Sequence, residues 1–221
     1  MDMFYAAVEL LERPDLRDKP VVVGGSPKSR SVVTTANYVA RKYGIHSAMS
    51  CAEAYRRCPE CVFIRPDFPK YHEYSKMIRS IFFKYTDLVE PLSLDEAYLD
   101  VTVNKISEPS ATRLASAIKK EIFEQTGLTS SAGVAPNMFV AKIASDYKKP
   151  DGLTVVPPEK VLEFIRPLPV RRIPGIGPVS DAHMAKLGIR TRCGSCCANT
   201  GMAGAAFRFL RAIFLGHRTW H

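Results

Sequence analysis

The stretch Ser93-Leu94-Asp95-Glu96-Ala97-Tyr98-Leu99-Asp100 holds the densest chemistry in the sequence. Two adjacent carboxylates stand among apolar residues that belong inside the molecule or nearly so. On a straight strand Asp95 and Glu96 point to opposite faces. They serve one site only where the chain bends, as at a strand-to-strand turn. Buried paired carboxylates repel each other and resist desolvation, and a cation between them relieves both problems. Mg²⁺ meets that need, because it takes hard oxygen ligands and shares its coordination with substrate phosphates. In two-metal phosphoryl transfer one ion activates the attacking oxygen and the other holds the triphosphate. Taken alone, the pair is better explained as a solvated turn whose acids do nothing.

Other residues carry weaker signals. Tyr38 and Arg41 lie three apart on a predicted helix and share a face. Tyr5, taken alone, reads as a core tyrosine on an apolar strand. Six cysteines fall into two groups, Cys51, Cys58 and Cys61, then Cys193, Cys196 and Cys197. Cys58-Pro-Glu-Cys61 and Cys193-Gly-Ser-Cys196 have a spacing that zinc can use. Most of the chain separates them, so incidental thiols are the better reading.

The elements that must position these residues follow from the apolar pattern. Met3 to Leu11 reads as a strand, and Val21-Val22-Val23 as a buried strand closed by Gly24-Gly25. Ser31 to Thr35 is β-branched, and Ala36 to Tyr43 turns helical before Gly44. Ser50 to Arg57 is a short helix with Ser50 as its cap and Glu53 three later; Val62 to Ile64 is a strand. From Pro69 to Thr86, Tyr71, Tyr74, Ile78, Ile81, Phe82 and Tyr85 recur at three- and four-residue steps, the mark of a long amphipathic helix. Leu88 to Leu92 and Ala97 to Val103 read as strands around a turn. Ser110 to Gln125 is a helix stopped by Gly127, Thr129 to Ala135 a strand, Asn137 to Lys148 a helix and Leu153 to Val156 a strand. With the N-terminal strand, this order predicts an α+β fold close to the ferredoxin-like plan, with helices on one face of the sheet. Pro157-Pro158 marks a boundary, beyond which the chain is helical.

The balance of 31 Lys and Arg against 22 Asp and Glu gives a net charge of +9, a footprint that suits a polyanionic partner, nucleic acid first. No stretch approaches the ~20 apolar residues that span a bilayer. Asp2 and Glu9 with no basic leader do not read as a signal peptide, so a cytosolic protein with reduced thiols is expected.

Several strings, in order, resemble Y-family translesion DNA polymerases of the DinB type. They are Phe4-Tyr5-Ala6-Ala7-Val8-Glu9, Thr35-Ala36-Asn37-Tyr38 with Ala40-Arg41-Lys42-Tyr43-Gly44, and Ser93 to Asp100. Ser131-Ala132-Gly133-Val134-Ala135, Ala141-Lys142-Ile143-Ala144-Ser145-Asp146 with Lys149-Pro150 and Gly152, and Ile173-Pro174-Gly175-Ile176-Gly177 complete the series. The resemblance runs from residue 1 to about 191. It implies a ferredoxin-like palm (1–10 and 68–156), a small α/β fingers insertion (11–67) and a helical thumb (157–221) with a helix-hairpin-helix. The implied activity is template-directed, error-prone addition of deoxynucleotides to a primer 3′ end, with two Mg²⁺ ions, in translesion synthesis and DNA repair. Position by position, Asp95 matches a metal-binding carboxylate and Glu96 its catalytic partner. Tyr5 matches the steric gate beneath the sugar. Thr35, Tyr38, Arg41 and Lys149 match contacts to the incoming triphosphate, where a guanidinium fork and phenolic donor suit phosphate oxygens. Gly175, Ile176 and Gly177 match the hairpin turn, whose two glycines let backbone N–H groups reach a DNA phosphate. Primer-template DNA and dNTP are the implied partners, with a sliding clamp for the full-length family member. A monomer in the bacterial cytoplasm, associated with the nucleoid and not the membrane, is expected.

Two departures from the family pattern stand out. Members begin with a strand reading roughly H-x-D-M-D before the aromatic pair, and Met1-Asp2 aligns with its last two residues. Met1 then matches the residue whose backbone carbonyl contributes to the metal, while the principal aspartate falls upstream of the sequence. Residues 192–201 are Cys- and Gly-rich and match nothing expected, Ala205 to Phe214 is apolar and reads as a helix, and the little-finger domain is missing. A chain incomplete at both ends is the expectation, from a start at an internal methionine and a shifted frame or unusual branch at the far end. The alternatives are a DNA-binding fragment disabled by the missing ligand and, disfavoured by the thumb, a nucleotide cyclase on a similar sheet.

Overall fold

A computed structural model describes residues 1–188. The second cysteine group and the helix expected over residues 205–214 lie outside the described residues. The chain divides into two compact units, Met1–Ser130 and the residues from Ser131 onward.

The first unit opens with α1, Phe4–Leu11. This corrects the strand expected over Met3 to Leu11. An unbroken apolar run does not distinguish a buried strand from a buried helix, and Ala6, Ala7, Glu9, Leu10 and Leu11 are strong helix formers. Phe4, Ala6, Val8, Glu9 and Leu10 are all buried, so the segment has no polar face to reveal its period. The helix is entered through Met3, whose left-handed backbone (φ 40°) is uncommon for a residue with a side chain. Ala7 N–H donates to the Met3 carbonyl at 2.8 Å, closing the first turn.

Next come β1, Val21–Gly24, and β2, Val33–Ala36. A single helical turn α2 (Tyr38–Arg41), α3 (Cys51–Arg57) and β3 (Val62–Ile64) follow. These strands form a sheet in the order β2-β1-β3, with β1 antiparallel to β2 and parallel to β3. Ser50 caps α3 by accepting the Glu53 N–H, as expected. The predicted helix over Ala36 to Tyr43 contracts to one turn because Ala36 is still strand and the chain turns again at Gly44 (φ 74°). Val22, Val33, Ala36, Ala40, Ile45, Met49 and Ala54 pack with Cys51, Cys58 and Cys61 into one core cluster. The three thiols are free and serve there as small apolar side chains.

The long helix α4 spans Phe68–Tyr85, capped by the Asp67 carboxylate. It precedes β4 (Val89–Pro91) and β5 (Ala97–Leu99), an antiparallel pair with Val89 opposite Leu99 and Pro91 opposite Ala97. Ser110 caps α5, Ala111–Thr126, and Gly127 ends it with a left-handed backbone. Phe4 and Val8 of α1, Tyr71, Ile78 and Ile81 of α4, and Leu114, Ile118 and Ile122 of α5 make the unit's main core.

In the second unit β6 (Ala132–Val134) pairs in parallel with β7 (Leu153–Val155), and α6 (Met138–Tyr147) links them. Gly133 is required by this packing, since a Cβ there would stand 2.1 Å from the Ala141 carbonyl oxygen. The short α7 (Val161–Ile165) and α8 (Pro178–Lys186) follow. Of the sheet expected in the palm, the described strands thus supply two pairs, β4–β5 and β6–β7, and the mixed α+β composition stands.

Candidate active site

Asp95 and Glu96 close the loop between β4 and β5. Leu92 and Ser93 N–H both donate to the Glu96 carbonyl, at 2.9 and 3.3 Å, so the chain bends sharply where two neighbouring carboxylates require it. The loop is pinned from α4: Ser75 Oγ donates to the Leu94 carbonyl at 2.5 Å, and Arg79 Nη2 to the Ser93 carbonyl at 3.0 Å. Ser93 Oγ donates to Asp95 Oδ1 at 2.9 Å, orienting the carboxylate itself. Both acids are half-buried. Met1 lies beside them, its α-ammonium donating to the Asp95 carbonyl at 2.8 Å and standing 3.6 Å from Oδ2. Asp2 is buried, and its N–H donates to the Thr129 carbonyl. Paired half-buried carboxylates on a fixed bend are oxygen donors suited to a hard divalent cation. Among the described residues no group of three His, Cys, Asp or Glu is arranged to hold a metal.

Tyr5, in the first turn of α1, belongs to a layer of rings. Its ring stacks on Tyr71 with centroids 4.4 Å apart and meets Phe68 edge-on at 6.1 Å. Burial raises its phenol pKa, and the negative charge of Asp95 raises it further. Tyr98 is likewise raised, by burial first and then by the Glu96 charge.

The phosphate-seeking candidates gather at the end of β2. Thr35 pairs opposite Val23 in the sheet, and Tyr38 and Arg41 occupy the turn of α2. Arg41 Nε donates to the Ala36 carbonyl at 2.9 Å, and its guanidinium carbon lies 4.9 Å from the centre of the Tyr38 ring. The shared face read from their spacing is therefore present. Asn37 anchors this turn: its buried side chain accepts from Val21 N–H (3.0 Å) and Ala40 N–H (2.9 Å) and donates to the Lys19 carbonyl (2.8 Å).

The remaining candidates lie in the second unit. Lys149 pairs with Asp146 at 2.6 Å. Gly175 (φ 89°) and Gly177 are exposed, while Ile176 between them is buried with Val170, Ile173 and Met184. A Cβ at either glycine would meet nothing within 4 Å, so the bare backbone there faces open space.

Sequence reasoning did not single out Ser75, Arg79, Ser93, Asn37, Glu9 or Tyr71 as parts of a site. Ser93 and Asn37 sit inside the diagnostic strings, which is the signal they offered. Tyr71 appeared only as one of several apolar positions on a helix, and Glu9 as the last residue of the first diagnostic string.

Comparison with known proteins shows what this chain is similar to. A model of the impB/mucB/samB family matches residues 1–146, and one of the IMS family HHH motif matches residues 158–189. DNA polymerase IV of Clostridioides difficile is 54% identical over 199 residues, covering 90% of this chain and 54% of that protein. DNA polymerase IV of Neisseria meningitidis serogroup C is 50% identical over 217 residues, covering 98% and 58%. Among solved structures, DinB from Sulfolobus solfataricus superposes with a TM-score of 0.87 at 35% identity, covering 97% of this chain and 63% of that one. An insertion ternary complex of Dbh DNA polymerase gives 0.84 at 35% identity, covering 100% and 67%. The chain therefore spans a little over half the length of the two curated relatives.

Proposed function

From the premise that this chain belongs to the impB/mucB/samB family, that of the DinB-type Y-family polymerases, we propose that it carries the reaction centre of a template-directed, error-prone DNA polymerase. It adds deoxynucleotides to a primer 3′ end and takes part in translesion synthesis. The observation that carries this reading is the bend that sets Asp95 next to Glu96 and is held from α4 by Ser75 and Arg79.

Asp95 would hold the metal, two Mg²⁺ ions in this reading, with a contribution from the Met1 carbonyl, and Glu96 would act as its catalytic partner. Bound there, the ions lower the pKa of the primer hydroxyl and neutralise charge developing on the phosphates. The chain's own groups supply position. Ser75 and Arg79 keep the carboxylate loop from drifting, and Ser93 aims Asp95. Tyr5 rejects a ribose by sterics, since a rigid ring leaves no room for a 2′-oxygen. Arg41, Tyr38 and Thr35 are the triphosphate contacts of the first unit, and Lys149 is a further phosphate contact carried by the second. The backbone at Gly175–Gly177 takes a DNA phosphate with no sequence preference. Residues 1–10 with 68–156, 11–67 and 157 onward act as palm, fingers and thumb. A monomer working with a sliding clamp completes the proposal. No described helix is long and apolar enough to cross a membrane.

A second reading is a DNA-binding segment without turnover. It is favoured by the lack, among the described residues, of a three-member carboxylate cluster. Single-nucleotide primer extension at low salt with Mg²⁺ separates the two. Templated incorporation that is lost in Asp95→Ala supports the polymerase. No incorporation from a folded chain that retains DNA binding supports the second reading.

A further inference from the structure

Behind Tyr5 lies a second tier that the proposed reaction leaves unused. Tyr71 stacks against the gate ring, 27° from parallel, and its hydroxyl donates to Glu9 Oε1 at 2.8 Å. Glu9 follows Tyr5 by one helical turn on α1, so the two lie on one face. Tyr71 bridges them, with its ring on one and its hydroxyl on the other. Glu9 is only 1% exposed. Its second oxygen takes the Arg13 guanidinium and stands 3.7 Å from Lys70 Nζ.

A carboxylate this deep is costly unless charged partners and hydrogen bonds satisfy it. An apolar side chain of similar volume fills the same space without that cost. What the carboxylate supplies and a leucine does not is a direction. Two stacked rings attract weakly and slide easily across each other, and a hydrogen bond at the far end of Tyr71 fixes the slide. Burial, chiefly, raises the Tyr71 phenol pKa and keeps the hydroxyl a donor. The cations at Glu9 hold the acceptor in place.

We propose that Glu9, acting through the Tyr71 hydroxyl, is a positioning residue for Tyr5 and sets how strictly the site rejects a ribonucleotide. This rests on the reading of Tyr5 as the sugar-discriminating wall. A gate works by sterics only as far as it is stiff, and the stiffness of Tyr5 comes from the tier behind it.

The test is the preference for dATP over ATP, measured as a ratio of equilibrium affinities for the whole chain. The probe is a dideoxy-terminated primer-template with Ca²⁺, so that binding is read without turnover. Tyr5→Ala is expected to abolish the preference. Glu9→Leu is expected to lower it about tenfold, or about 1.4 kcal/mol, and Tyr71→Phe, which keeps the stack and loses the hydroxyl, to match it. Glu9→Gln, whose amide oxygen accepts the same hydrogen bond, is expected to restore most of the preference, a rescue that a merely structural role does not predict. Melting of each variant verifies its fold, and if Glu9→Leu fails to fold, Tyr71→Phe decides. An unchanged preference in Tyr71→Phe, with the preference lost in Tyr5→Ala, overturns this inference and leaves the gate reading intact. A preference that survives Tyr5→Ala, or is missing from the wild-type chain, overturns the gate reading and the inference with it.

Discussion

Asp95 and Glu96 reach solvent as side chains on a loop whose backbone is tied down from outside, by Ser75 and Arg79 of α4. Gly175 and Gly177 reach it as bare backbone on a turn tied down from below, by buried Ile176. The first arrangement fixes the backbone that carries two charged groups. The second removes side chains so that N–H groups are uncovered. The difference teaches where each kind of site is fragile. A site made of side chains fails when a named group or its support is removed. A site made of backbone fails when a side chain is added or a dihedral angle is forbidden.

Substitutions can break or sharpen this contrast, and the largest effect belongs to the side-chain site. Asp95→Ala should reduce single-nucleotide incorporation by roughly a thousandfold or more, the scale expected for a metal-holding carboxylate, with DNA affinity nearly unchanged. A rapid-quench extension assay beside a DNA-binding titration measures both. Arg79→Ala leaves the carboxylates in place and removes a support. Incorporation should fall by roughly ten- to a hundredfold, since an ångström of misplacement is that damaging; a loss below twofold would mean that Ser75 alone suffices.

At the backbone site the two glycines should separate. Gly175→Ala forces a Cβ into φ 89° and should cost about 1–2 kcal/mol of stability, weakening DNA binding. Gly177→Ala meets neither a clash nor a positive φ and should stay within about 0.5 kcal/mol of wild type. Melting and salt-dependent DNA binding on both variants show whether dihedral freedom or open space matters. The last effect lies outside both sites and is silent at neutral pH. Burial, with help from the neighbouring Cys58, pushes the Cys61 thiol from 9.0 up to about 12. The unfolded chain loses this proton near 9 while the folded chain keeps it, so stability should fall as pH rises from about 9 toward 12. Comparing urea midpoints of wild type and Cys61→Ala across that range isolates the term.

Much of the carboxylate loop was legible in sequence, because adjacent acids among apolar residues demand a bend and the bend is there. The cap at Ser50 and the period of α4 were legible for a similar reason: each is a local rule satisfied locally. α1 was not, because burial on nearly every side erased the periodicity that separates helix from strand. The supports were not legible either. Ser75 and Arg79 lie 14 to 19 positions before the carbonyls they hold, and Glu9 lies 62 before Tyr71. No local pattern encodes such pairings, since the bond partner is a backbone oxygen or a lone hydroxyl brought near only by packing.

One arrangement near β2 has a thermodynamic consequence. Arg41 commits its Nε–H to the Ala36 carbonyl and lays its guanidinium over Tyr38. A long cationic side chain ordinarily surrenders about 1.5–2 kcal/mol of rotamer freedom when it is immobilised. Arg41 makes much of that surrender during folding rather than on meeting an anion. A lysine at position 41, with a single nitrogen at the end of a flexible stem, would have to choose between Ala36 and the ligand, and would meet a phosphate with its entropy still to lose.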